Sequence, residues 1–188
     1  PKALTGSGKT KKFRLLKKIS IWAVSGDEVM SKVIFDKDGR IGRISLNRPE
    51  KLNAIDDDVP GLLQDAVLVA EHDPNIHVIV LSGKGKGFCG GYDLASYAEN
   101  NGTNNVYQGE NWDPLADYNF MWGNTQKFMS LWRCSKPVLC KIHGFAVGGG
   151  SDIALCSDII FMAENARIGY MSTRCLLYTS PSPRDLAV

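Results

Sequence analysis

Gly87-Phe88-Cys89-Gly90-Gly91-Tyr92-Asp93-Leu94 and Gly144-Phe145-Ala146-Val147-Gly148-Gly149-Gly150-Ser151-Asp152 decide how this chain folds. Each follows a short apolar run, 78–81 in the first case and 137–143 in the second, and each leads into a stretch of helical character. A strand that ends in glycines and passes into a helix gathers backbone N–H groups with no intrahelical partner, and glycine lets another group come close to them. Two such corners facing each other create a place where an oxygen can gain negative charge, because helix N-termini carry partial positive charge. Relief of crowding at a strand-to-helix turn is a sufficient explanation for one such stretch, but a pair of them calls for more.

Working outward, residues 33–35 and 41–46 read as a β-hairpin around the turn Asp36-Lys37-Asp38-Gly39, and Asn47-Arg48-Pro49 ends it. Val59, Leu62, Leu63, Ala66, Val67 and Ala70 recur at helical spacing behind Asp56, Asp57 and Asp58, whose charges suit a helix N-terminus, and Asp73-Pro74 closes that helix. A short helical patch over 94–98 precedes an Asn- and Gly-rich loop over 100–111. Asp113 and Pro114 then read as N-cap and first residue of a helix running to Arg133. A short helix over 153–156 and a strand over 159–162 follow. Strands and helices in this alternation indicate an α/β layered fold.

With 188 residues, 44% of them hydrophobic and no apolar run long enough for a membrane helix, the composition is that of a globular domain with a core. A net charge of +2 gives no footing for nucleic acid binding. That sum conceals seven cations and no acid within residues 1–26. Six of the seven are Lys, which suits a disordered basic leader over 1–30 better than an Arg-rich organelle transit peptide. Five cysteines without a C-x-x-C pair suggest reduced, intracellular thiols rather than a disulfide framework or a zinc site, and His72, His77 and His143 lack metal spacing.

Two phosphate-binding motifs fail on context. Ala3-Leu4-Thr5-Gly6-Ser7-Gly8-Lys9-Thr10 resembles a relaxed P-loop, yet only Pro1 and Lys2 stand where the strand that fixes such a loop belongs. Gly85-Lys86-Gly87-Phe88-Cys89-Gly90 satisfies G-x-G-x-x-G, with Glu110 twenty residues on, but polar loop occupies the place of the second strand that a dinucleotide site requires.

Taken with Leu46-Asn47-Arg48-Pro49-Glu50-Lys51-Leu52-Asn53-Ala54 and Ser135-Lys136-Pro137-Val138, the two glycine stretches resemble the crotonase superfamily, to which enoyl-CoA hydratases and isomerases belong. The likeness runs over residues 33–174, within a core assigned to 31–174. It implies a crotonase-like spiral of repeated β-β-α units, an acyl-CoA thioester substrate, and assembly as a homotrimer or dimer of trimers. It implies no metal and no cofactor, coenzyme A being part of the substrate, and no nucleic acid or membrane partner. By motif position it implies an oxyanion hole made by the backbone N–H groups of Tyr92 and Gly149, with the Tyr92 side chain incidental. Lys51, Leu52, Ala54, Gly91, Asp93, Leu94 and Gly148 fall where the family lines its substrate. Asp152 takes the place of a catalytic glutamate of the hydratases, and its role would be general base for an attacking water.

Two departures shape the expectation. Where hydratases carry a second glutamate this sequence has Ser172, which leaves hydration of an enoyl-CoA as first expectation, double-bond isomerisation by a single acid as second, and a non-catalytic acyl-CoA-binding homologue as third. Residues 175–188 follow neither a helical period nor the family pattern. The expectation is therefore an atypical tail in place of the family's C-terminal helices, and with it a damaged, poorly soluble copy of weak or no turnover. The compartment reads as mitochondrial or cytoplasmic without a decision between them.

Overall fold

Strand β1 (Val33–Asp38) pairs antiparallel with β2 (Ile41–Leu46), and Asp38 stands opposite Ile41, so the connection is the two-residue loop Gly39-Arg40. Gly39 has φ 57°, the positive value that the first position of such a tight loop demands. The expected turn over 36–39 thus sits too early. The strand continues through its polar residues because β1 is a sheet edge whose outer half faces solvent, where Asp38 accepts from Arg43 of the neighbouring strand at 2.7 Å. The structure, a computed structural model, describes residues 31–95 and 113–170. The basic leader over 1–30, the helical patch beyond 95, the loop over 100–111, Ser172 and the tail over 175–188 lie outside the described residues.

Helix α1 (Val59–His72) forms where the apolar spacing places it, and it buries Val59, Leu63, Ala66, Val67 and Ala70. Its start is held by Asp56, whose Oδ1 accepts from the amides of Asp58 and Val59, both at 3.2 Å. After it come β3 (Val78–Gly83), α2 (Pro114–Trp132), β4 (Val138–Ile142), β5 (Phe145–Val147), α3 (Gly149–Leu155), β6 (Ile159–Met162) and β7 (Arg167–Gly169). The Asp113 carboxylate accepts from the Leu115 amide at 2.8 Å, so the N-cap of α2 stands where the sequence puts it. Among the described residues no helix is long and apolar enough to cross a membrane.

The main sheet runs in the order β1-β2-β3-β4-β6, and every pair after the hairpin is parallel. Parallel neighbours need crossovers, which α1, α2 and α3 lie within in turn. Ile44 and Leu46 of β2, Ile79 and Leu81 of β3, and Val138, Cys140 and Ile142 of β4 are buried. Facing them are Leu63, Val67 and Ala70 of α1, while α2 packs on α1 and contributes Phe128 and Leu131. This is the expected α/β architecture. Its second, two-stranded sheet, β5 with β7, went unread in the sequence, and α3 begins at Gly149 rather than at 153. Both differences arise at the second glycine stretch, which is extended for three residues before it turns into helix.

Candidate active site

The two glycine stretches are laced together by main-chain bonds. Cys89 and Ala146 form an isolated parallel bridge, in which the Val147 amide donates to the Cys89 carbonyl at 3.0 Å and the Cys89 amide to the Phe145 carbonyl at 3.2 Å. On its other side the first stretch pairs with the loop after β2: Ile55 donates to the Gly91 carbonyl at 2.8 Å and accepts from the Asp93 amide at 2.9 Å. In a parallel bridge of this pattern the opposing residue, Tyr92, turns its own N–H away from Ile55. Gly91 is the close approach between the stretches, at φ 94°: a methyl group placed on it would stand 2.9 Å from the Val147 carbonyl oxygen and 3.9 Å from the Gly149 nitrogen. No L side chain is tolerated there without moving one stretch off the other.

The loop after β2 is pinned to this corner by two buried polar side chains. A 3₁₀ turn over Pro49–Lys51 ends with Leu52 and Asn53 both at positive φ, 54° and 56°. Asn53 accepts from the Arg48 amide at 2.8 Å and donates through Nδ2 to the carbonyls of Lys84, Gly87 and Phe88 at 2.7, 3.0 and 3.1 Å. Arg48 reaches forward to the Ala54 carbonyl at 2.7 Å and to Asp93 Oδ2 at 3.0 Å, with Asp56 Oδ2 at 3.2 Å. Its side chain and that of Asp93 are 13% and 6% exposed, so this is an interior ion pair rather than a surface one. Cys89, inside the first stretch, gives its thiol to the Asn53 carbonyl, and burial pushes its pKa up to about 11. It is a packing group and not a ready nucleophile.

Asp152 stands in the first turn of α3, half-buried, and burial raises its carboxyl above the ordinary aspartate value. The Tyr170 hydroxyl, from the residue that follows β7, donates to its Oδ1. Tyr92 lies close enough to feel the Asp152 charge, although burial is the main cause that pushes its own hydroxyl up to about 12, and it shares a side-chain hydrogen bond with Asn124 of α2. Asn124 is 2% exposed and faces the Tyr92 hydroxyl. The ring of Tyr92 also covers Gly149: a methyl group on Gly149 would be 2.9 Å from Tyr92 Cε2. The Tyr92 ring thus forms one wall of the corner.

Residues 36–179 match the family model described as enoyl-CoA hydratase/isomerase. The chain belongs to the enoyl-CoA hydratase/isomerase family. It is 32% identical over 141 residues to a short-chain-enoyl-CoA hydratase of Clostridium acetobutylicum, a match covering 74% of this chain and 49% of the relative. A 1,2-epoxyphenylacetyl-CoA isomerase of Escherichia coli is 31% identical over 129 residues, covering 66% of this chain and 44% of that protein. Among solved structures, an enoyl-CoA hydratase from Mycobacterium smegmatis superposes with a TM-score of 0.69 at 41% identity, over 80% of this chain and 53% of its own. The chain spans about half the length of the curated relatives it matches.

Within this hydratase/isomerase family fold, the residues singled out from the sequence separate into two groups. Gly91, Tyr92, Asp93, Gly148, Gly149 and Asp152 come together at the interlocked corner: Gly148 donates to the Gly169 carbonyl at 3.1 Å and accepts from the amides of Ser151 and Asp152. Lys51 and Leu52 lie on the exposed face of the 3₁₀ turn, and Leu94 is exposed where the first stretch leaves the corner. Ala54 is half-buried, its carbonyl taken by Arg48 and its amide by the Lys51 carbonyl at 3.0 Å. Leu52 joins the corner by its backbone, accepting from the Gly90 amide at 2.9 Å. Four residues of the site passed without mention of a role in the sequence: Arg48, Asn53, Asn124 and Tyr170. An Asn in the otherwise apolar-spaced interior of α2 was the one overt signal among them.

Proposed function

We propose that this protein binds an acyl-CoA thioester at the interlocked corner, polarises the thioester carbonyl between the N–H groups of Tyr92 and Gly149, and hydrates the α,β-double bond with Asp152 as base. The observation that carries this reading is the corner itself, in which Gly91-Tyr92 and Gly149 are held against each other with Asp152 three residues farther along α3. Negative charge that grows on the carbonyl oxygen would be met by fixed amides, each worth about 2.7–4 kcal/mol of transition-state stabilisation. Drawing electrons to that oxygen makes the β-carbon electrophilic. Asp152 takes a proton from water as the water oxygen bonds the β-carbon, and then returns a proton to the α-carbon. Burial that lifts the Asp152 pKa makes it a stronger base than an exposed aspartate, in the direction general-base catalysis needs.

In this reading Lys51, Leu52, Ala54, Asp93 and Leu94 lie along the coenzyme A portion, the assembly is a homotrimer, and no cofactor enters beyond the coenzyme A of the substrate. Loss of the enoyl thioester absorbance of a short 2-enoyl-CoA tests it. Turnover by the protein that falls by about 10²-fold or more in Asp152→Asn supports the proposal, whereas equal turnover in the variant removes Asp152 from the mechanism. A second reading, migration of the double bond by one proton moved between the α- and γ-carbons, is favoured because, of the two carboxylates at the corner among the described residues, Asp93 is engaged by Arg48 and Asp152 is left to act as base. A 3-enoyl-CoA converted to its 2-enoyl isomer, with no 3-hydroxy product, selects it.

A further inference from the structure

Hydration through a single carboxylate requires that the carboxylate be held in one orientation through two proton transfers. Asp152 is short, it has one helical turn behind it, and a group from elsewhere must fix it. The Tyr170 hydroxyl bonds its Oδ1 from a position 18 residues along the chain. Tyr170 is itself anchored at its base. β7 pairs with β5 in the register Val147↔Gly169, and the Gly169 carbonyl accepts from the Gly148 amide at 3.1 Å and from the Ser151 hydroxyl at 3.2 Å. The residue just before the phenol is therefore fastened to the same glycine stretch that supplies Gly149 and opens α3. A tyrosine side chain has two rotatable torsions, so an anchored backbone places its hydroxyl at small entropic cost.

We infer that Tyr170 is the positioning residue of Asp152, an inference that rests on the reading of Asp152 as base. Its phenol occupies Oδ1 and sets the carboxylate plane, which leaves Oδ2 to face the reacting water. In the forward step a water O–H bond breaks, its proton goes to Oδ2, the water oxygen forms the C–O bond at the β-carbon, and the π pair moves toward the thioester carbonyl. The proton on Oδ2 then passes to the α-carbon as that electron pair returns, and the carboxylate is regenerated. Tyr170 keeps its proton throughout. Its donated hydrogen bond favours the charged carboxylate and opposes the burial that raises the Asp152 pKa. Tyr92 on the first glycine stretch and Cys156 at the end of α3 also feel the Asp152 charge, and neither brings a positive charge.

The test compares the whole protein with its Tyr170→Phe and Asp152→Asn variants by turnover of a short 2-enoyl-CoA from pH 5 to 9 and by carbon NMR titration of the Asp152 carboxyl. Tyr170→Phe should lower kcat by about tenfold or more, a part of the full general-base contribution, leave KM within about twofold, and raise the acid limb and the Asp152 pKa by about one unit. Unchanged kcat together with an unchanged Asp152 titration overturns the inference and leaves the hydration reading standing. Full turnover in Asp152→Asn, or none in the unaltered protein, removes the hydration reading instead. The NMR titration still decides for or against the Tyr170 contact in both cases. Should Tyr170→Phe not fold, the ring-carbon titration of Tyr170 in the unaltered protein and in Asp152→Asn gives the reciprocal shift, since coupling between two sites is equal in both directions. A Tyr170 that titrates identically in both overturns the inference.

Discussion

Arg48→Met is the substitution that most sharply tests how the corner is held. Methionine keeps most of the apolar volume of the side chain and removes its charge and its donors, so the change isolates the polar contribution. Arg48 bonds the Ala54 carbonyl at 2.7 Å and Asp93 at 3.0 Å and lies 3.2 Å from Asp56. The two carboxylates suffer unequally. Asp56 retains Lys32 at 2.6 Å and keeps a countercharge, whereas Asp93, with a side chain 6% exposed, loses the Arg48 guanidinium at 3.0 Å. Breaking a buried ion pair from one side costs about 3–5 kcal/mol, and an orphaned carbonyl about 1–3 kcal/mol. Because Asp56 stays paired and the half-buried Ala54 carbonyl can be met by water, the expected loss is the lower half of the ion-pair range alone, about 3–4 kcal/mol. A typical domain has about 5–15 kcal/mol in all, so the variant should fold but with a large deficit. Urea unfolding followed by far-UV circular dichroism measures it: at a slope near 2 kcal/mol per molar, the midpoint should fall by about 1.5–2 M. Asp93→Asn and the double variant complete a cycle, in which the double change should cost clearly less than the sum of the singles. A loss below about 1 kcal/mol, the scale of an exposed pair, or strict additivity in the cycle, would refute the view that this ion pair clamps the loop to the glycine stretch.

Further outcomes follow from neighbouring contacts. Asn53→Ala removes a donor shared by three carbonyls and places Ala at φ 56°; stability should fall by about 2–4 kcal/mol, and acyl-CoA affinity should fall with it, measured by calorimetry at a temperature where the variant is folded. Gly91→Ala forces a methyl group to 2.9 Å from the Val147 carbonyl oxygen at a backbone angle that Ala avoids, so kcat should drop more than KM rises in steady-state turnover. Asp152→Asn should stabilise the fold at neutral pH while abolishing hydration, seen as a higher Tm. Its folded pKa is raised by burial, so the stability tied to its proton is present below the unfolded pKa, near 3.8, and is lost as pH rises through the folded value. Glu71 carries the opposite sign. The Ser135 amide donates to it at 2.8 Å and lowers its pKa, so its contribution is present above the unfolded value near 4.5 and disappears as pH falls through the folded one; Glu71→Gln should flatten the stability profile in that acid window.

Residues whose roles depend on neighbours in sequence were legible, and those whose roles depend on neighbours in space were not. Val59, Leu63, Ala66, Val67 and Ala70 repeat at helical spacing and became the buried face of α1, as a stripe of that period must when a sheet lies beneath it. Gly91 and Gly149 stood out as glycines at strand-to-helix corners, where a Cβ would meet the Val147 carbonyl in the first case and the Tyr92 ring and Ile55 in the second. β5 and β7 escaped notice because three residues hold no periodicity, and the two pair with each other across 22 positions of chain. Nothing local to Asn53 reveals that its amide reaches Lys84, Gly87 and Phe88. Tyr170 was passed over for the same reason: its hydroxyl acquires a function only once β7 lies beside β5 and brings it to Asp152.

The consecutive left-handed residues Leu52 and Asn53 have a bearing on the ordering that ligand capture demands. Two L-residues kept in a sparsely populated conformation store about 1–3 kcal/mol each, and that cost is met at folding, by the buried amide of Asn53, not at encounter. A visiting molecule therefore finds the contour of this turn already set, so contact with the turn should carry no ordering cost of its own.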